Sequence, residues 1–281
     1  NNMVEHTFTS WPDFFSHLTK VNMDFRNHWK SPKSAVAFFR GHSSSEYSLI
    51  PGLYRSNINP GNEGNYFYEY QANAGSLLPR AADSWEILFS MQHHGIPSRI
   101  LDWSESFAVA LYFALYSFID GKEIDTRAID VWMLDPYELN GKDYKEDIID
   151  VHDDFDVSYI DFCINRRNNI IWNKGALAIY PARSNPRIIA QQGVFTIHES
   201  NKPIEQMQLE RLYRFTLVGD SILNEAKNYL RFSGVNTFTI KPDLDGLANY
   251  IKNRFELQAS HVTNSYPLQT IISTESPDNV T

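Results

Sequence analysis

With 281 residues, 42% of them hydrophobic and 14% aromatic, the chain has enough apolar side chain for a sizeable core, and its composition lies far from that of chains that stay disordered. A formal net charge of −9 removes the summed positive field that non-specific adhesion to nucleic acid or an anionic membrane requires. The one cysteine, Cys163, cannot close an internal disulfide. No apolar run reaches the roughly 18 residues of a membrane span and no signal peptide opens the chain, so a cytoplasmic protein with no membrane attachment is expected. Asn1 and Asn2 are read as residues left by processing ahead of a natural start at Met3.

Ser10-Trp11-Pro12-Asp13 reads as a helix start, with Ser10 as cap and Pro12 in the first turn. Phe14, Leu18, Val21 and Phe25 then recur at helical spacing. The apolar run Ala35 to Phe39, ending in Arg40-Gly41-His42, predicts a buried strand that delivers polar groups at its carboxyl end. Residues Ser56 to Asn65 form a surface loop, Tyr66 to Leu78 begins a helix, and Ser84 to Gln92 is another that stops near Gly95. A loop is expected next. Asp102 and Glu105 then read as a capping box for a central buried helix from Trp103 to Phe118, apolar all round.

Beyond it, strands are expected at Asp130 to Leu134, Gly175 to Tyr180, Arg187 to Ala190, Gly193 to His198 and Leu212 to Val218. Asn140 to Asp156, strongly acidic, reads as a mobile insertion. Ile222 to Phe232 and Asp243 to Phe255 read as helices, and the tail from Ala259 is polar. The expected fold is α+β: one domain over 1–258, with a mixed, split β-sheet packed by helices, followed by a polar tail over 259–281. Arg166, Arg167, Lys174, Arg183 and Arg187 form either a local basic groove or scattered solvated charges.

Four ordered segments carry a family resemblance. They are Phe38-Phe39-Arg40-Gly41-His42, Met91 to Ser104 continuing through Ala110-Leu111-Tyr112-Phe113-Ala114, Pro186 to Thr196, and Pro242 to Ala248. Together they resemble the FRG domain family, with Ser98 where that family more often has threonine. More distantly the pattern is similar to ADP-ribosyltransferases of the arginine-serine-glutamate class, in which an arginine closes the first core strand and a serine-rich strand precedes a helix. Arg40 and Ser104 fit those positions, whereas Gln191-Gln192-Gly193 stands where the catalytic glutamate would be.

That resemblance implies an ADP-ribosyltransferase-like fold and a mono-ADP-ribosyltransferase using NAD as co-substrate. It implies an acceptor that is RNA, DNA or protein, and the context of a bacterial toxin or anti-phage effector with a possible antitoxin partner. Arg40, Asp102 and Gln192 would be catalytic. Arg40, His42, His94, Ser98, Arg99, Trp103, Ser104 and Tyr112 would bind the co-substrate, Arg40 through forked bonds to phosphate or ribose and Trp103 or Tyr112 by stacking. Gln192 can hold a ribose hydroxyl but cannot accept a proton, so Asp102, Glu105 or His94 would supply the base.

Other readings of the same residues stay open. Arg40 could pair with a buried carboxylate such as Asp102, and Asp102 with Glu105 could be only a helix cap. The pocket could bind a nucleotide or partner without breaking a bond. Asp102, Asp243 and Asp245 could serve a metal-dependent nuclease, although adjacent His93 and His94 make a poor metal pair and no zinc ligand set is expected.

Overall fold

The computed structural model describes residues 3–29, 35–55, 57–78, 82–119, 128–152, 158–165, 172, 174–181 and 185–259. The first half runs β1 (Val4–Phe8), α1 (Trp11–His28), β2 (Phe38–His42), α2 (Glu63–Ala74), α3 (Ser84–His93), β3 (Ile100–Ser104) and α4 (Phe107–Ile119). It continues with β4 (Ala128–Leu134), α5 (Pro136–Asn140), β5 (Ile149–Asp150), β6 (Ala176–Tyr180), α6 (Pro186–Ala190) and β7 (Gly193–His198). Then come β8 (Leu212–Val218), α7 (Asp220–Phe232), α8 (Thr237–Ile240) and α9 (Leu244–Ala259). Among the described residues no helix is long and apolar enough to cross a membrane.

The strands form one mixed sheet in the order β1-β8-β4-β2-β3-β7-β6-β5, an α+β arrangement. β1 runs parallel to β8 and β5 parallel to β6; the other pairings are antiparallel. The ladder is uneven at its centre. Five residue pairs join β2 to β4 and five join β3 to β7, yet only Phe39↔Ser104 joins β2 to β3. The sheet is therefore split between two well-paired halves.

Cross-strand partners share a face, so Phe39, Ser104, Asp102 and Ile100 lie on one side. Over the β1-β8-β4-β2 half, that side is covered by α1, α4 and α7, whose Phe14, Leu111, Leu115 and Leu223 pack on Val131, Met133 and Phe215. Over the other half it is covered by α2, α3 and the π-helical turn Ile160–Ile164, with Phe67, Leu88 and Phe162 against Ile100, Leu177 and Ile197. The opposite face buries Trp103, Trp132, Leu101 and Phe38 under the loops that carry Leu49, Ile204 and Met207.

Gly41 sets how close α4 comes to the sheet. A Cβ there would lie 1.9 Å from the Ala110 carbonyl oxygen and 2.6 Å from the Ala114 nitrogen, so only glycine lets the apolar helix lie on β2 at this distance.

Several expected elements are corrected. Asp102 and Trp103 belong to β3 rather than to a loop and a helix start, because their backbone pairs with Phe195 and Val194 of β7. Helix α4 begins at Phe107 instead, and Ser106 caps it: its carbonyl accepts from Ala110 N at 3.2 Å and its Oγ from Val109 N at 3.4 Å. The Asp102–Glu105 capping box is therefore not formed. Arg187 to Ala190 is helix α6 and not a strand, since Pro186 opens it and the Asn185 side chain accepts from Arg187 N at 2.8 Å.

Residues 140–152 are ordered into a turn and β5 instead of forming a loose insertion. Buried Asn140 donates to Asp147 O and Ala178 O and accepts from Ala178 N. Ser10 does precede α1, but its side chain makes no capping bond. Arg166, Arg167 and Arg183, the residues 153–156 and the tail beyond 259 lie outside the described residues.

Gly41→Ala is expected to destabilise the fold by roughly 3 kcal/mol, the upper end for forcing extra volume into a packed core. Urea unfolding of the variant against the parent measures this.

Candidate functional site

The seam between β2 and β3 opens into a cleft of about 850 Å³, within the size range of small-molecule sites. On the helical side its walls are Val109, Ala110 and Phe113 of α4, facing Phe89 and His93 of α3 and Arg187 and Ile188 of α6. It continues past the opening to the loop after β2, where Ser43, Glu46, Tyr47, Tyr54 and Arg55 form the far wall.

Arg40 stands at the opening. It leaves β2 beside Trp132, its register partner on β4, and crosses toward β3. Nη1 donates to the Asp102 carbonyl oxygen at 2.5 Å and Nε approaches His42 Nε2 at 3.0 Å, while Nη2 has no partner among the described residues. The guanidinium thus replaces ladder bonds missing between the two strands. Burial, reinforced by the charge of Arg55 and opposed by Asp102, brings its pKa down to about 10, so it stays charged at neutral pH.

Asp102 is exposed, and its carboxylate does not pair with a buried Arg40. Its Oδ2 accepts from Gln92 Nε2 at 2.7 Å, and buried Ser98 donates Oγ–H to Gln92 Oε1 at 2.8 Å. Because Gln92 must accept from Ser98, its amide nitrogen is turned toward Asp102. Oδ1 of Asp102 takes no hydrogen bond from the described residues. Ser104 faces the cleft floor, donating to Gln191 O at 2.7 Å and accepting from Ser106 N at 2.9 Å.

Other residues singled out by the resemblance lie elsewhere. Ser98 sits behind Gln92 and does not line the cleft. Arg99 is buried in an ion pair with Glu63, which also accepts from the Tyr159 hydroxyl, and it ties β3 to α2. His94 is exposed at the end of α3; its neighbour His93 is the one that lines the cleft. Tyr112 points away, donating to Thr237 Oγ1 at 3.1 Å within the core. Trp103 reaches the cleft's edge, but its ring is buried on the other face, with Nε1 donating to Thr196 Oγ1 at 3.0 Å, so neither ring is placed to stack on a cleft ligand.

Gln192 is exposed in a left-handed turn, with φ of 46°. Its carbonyl accepts from Glu105 N at 3.0 Å, on the approach to α4. Gln191 lines the cleft in its place. Asp243 spends one carboxylate oxygen capping α9 at Gly246 N, 2.7 Å away, and among the described residues no group of three His, Cys, Asp or Glu converges as a metal site.

Sequence reasoning missed Glu46, Tyr47, Arg55, His93 and Arg187 as cleft residues. The loop 43–55 follows the Arg-Gly-His strand directly, which was the available signal, but only the sheet's closure shows that it folds over the opening. Arg40, Arg55 and Arg187 against Glu46 and Asp102 make the cleft cationic in a chain of net charge −9, which suits an anionic ligand.

Two rings near the cleft are held neutral. Burial, then the charges of Arg40 and Arg55, push His42 down to about 3, and burial does the same to His198. The unfolded chain therefore binds more protons than the folded one between pH 6.5 and 3. Titration of neither ring changes stability above that window, and each is expected to lower it by about 1.4 kcal/mol per pH unit as pH falls through it. Urea unfolding of the parent and His198→Gln from pH 6.5 downward checks this: the variant should lose one ring's share of the slope.

No curated protein and no solved structure matches the chain. A family model, described as the FRG domain, matches residues 35–122. That stretch, which holds β2, the loop over the opening, α3, β3 and α4, is similar to the FRG domain.

Proposed function

We propose that the cleft binds NAD and transfers its ADP-ribose to a macromolecular acceptor. The observation that carries this reading is the open seam with Arg40 across it: a charged fork with one nitrogen unpartnered among the described residues, flanked by Arg55 and Arg187. Such a fork suits the oxygens of a pyrophosphate. The apolar wall of Phe89, Phe113 and Phe195 offers a surface for a flat ring, and Tyr47 an exposed one at the far end.

In the proposed step the bond from the ribose carbon to the nicotinamide nitrogen breaks, and its electron pair leaves with nicotinamide. The cation-like ribose carbon is attacked by an acceptor oxygen or nitrogen, whose proton passes to a base. Asp102 is the base this geometry favours, since Oδ1 takes no hydrogen bond from the described residues and Gln92 fixes the carboxylate's orientation. Arg40 holds the phosphates. The position of Gln192 gives no support to a role on the ribose; Gln191 is the amide at the cleft floor.

A second reading, nucleotide binding without transfer, draws support from the amides at positions 191 and 192, where the transferase pattern has a glutamate. Incubation with labelled NAD and cell extract separates the two. Transfer predicts nicotinamide release and a labelled macromolecule, both falling at least 100-fold in Arg40→Ala. A rise in melting temperature with NAD but no nicotinamide would leave only the binding reading.

A further inference from the structure

A neutral imidazole has one nitrogen that donates and one that accepts. His42, 4% exposed, meets a donor at each: Trp132 Nε1–H lies 3.2 Å from Nδ1 and Arg40 Nε–H lies 3.0 Å from Nε2. Burial and the surrounding arginines keep the ring neutral. Only one of these two contacts can be a hydrogen bond.

The competition has a physical winner. Trp132 is 1% exposed, and its indole N–H has no other partner among the described residues. Arg40 borders the cleft and can turn its donors to solvent or to a ligand. Stranding the buried donor costs more than freeing the one at the cleft. Arg214 strengthens the tryptophan's claim: its guanidinium sits 5.3 Å from the indole centroid, and such a cation polarises the ring and its N–H. Arg214 is itself fixed by Asp130, 2.7 and 2.9 Å from Nη2 and Nε, and Asp130 also accepts from Thr216 Oγ1.

We propose that Trp132 fixes His42 as the Nε2–H tautomer, so that His42 Nε2–H, Arg40 Nε–H and Arg40 Nη2 form a three-donor subsite for an oxyanion, the phosphates of a nucleotide. The Tyr47 backbone also hydrogen-bonds the ring. On binding, Arg40 Nε turns from the ring to a phosphate oxygen and the ring's N–H joins it. His42 is then a binding donor, with Trp132 and Arg214 as its positioning residues. The subsite deepens the nucleotide reading above by naming what holds the phosphates, and it needs no bond cleavage.

Long-range proton–nitrogen correlation spectra of the ¹⁵N-labelled full chain at neutral pH read the tautomer directly. The expected result is a protonated Nε2 and a bare Nδ1 in His42. Inorganic pyrophosphate should shift the His42 Nε2–H and Arg40 Nε–H signals together, and ADP-ribose should do so at lower concentration. Trp132→Phe should weaken the pyrophosphate response at least tenfold; should that variant fail to fold, the parent spectra decide alone. A proton on Nδ1, or signals unmoved by pyrophosphate, overturns the subsite. Pyrophosphate acting at lower concentration than ADP-ribose overturns its assignment to a nucleotide. Absence of nicotinamide release with the His42 shifts intact removes the transfer reaction and leaves the subsite standing.

Discussion

A guanidinium holds together two half-sheets at the point where their backbone ladder stops. Between β2 and β3 a single residue pair remains, and Arg40 spans the rest by bonding the Asp102 carbonyl oxygen. The same opening that deprives the strands of hydrogen bonds gives the cleft its depth. As that brace, the Arg40 side chain is only partly committed, and its Nη2 has no partner among the described residues.

Around that brace the chain uses buried polar contacts to fix what the cleft presents. Ser98 orients Gln92, and Gln92 orients Asp102. Arg99 and Glu63, buried with the Tyr159 hydroxyl, hold the start of β3 against α2. Breaking such a pair leaves an uncompensated charge in the core, at a cost of about 3–5 kcal/mol, so these groups act on the cleft through rigidity. Gly41 has the matching role on the other wall, where it lets α4 lie against β2.

The sequence was most legible where a pattern depends on local chemistry. The amphipathic spacing of Phe14, Leu18, Val21 and Phe25 defined α1, and the alternating run Leu212 to Val218 defined β8. Where tertiary pairing decides, local signals misled. Asp102 and Glu105 have the spacing of a helix cap, but β7 claims the backbone of residues 100–104 for the sheet. Ile188 and Ile189 look like strand residues, yet the Asn-Pro start winds them into α6. At the site, Arg40, His42, Asp102 and Ser104 could be chosen from the motifs because they sit at the ends and middles of the strands that meet there. Ser98, Arg99 and Tyr112 shared the same motifs for structural reasons, and no spacing distinguishes a residue behind the cleft wall from one in front of it. Arg187 and the loop residues Glu46, Tyr47 and Arg55 come together only through the fold.

Calorimetric titration with ADP-ribose of the parent and of Arg40→Lys tests the central claim most directly, because lysine keeps the charge and removes the fork. The account predicts that the parent binds and that affinity falls at least tenfold in the variant. Equal affinity in the two proteins would contradict it.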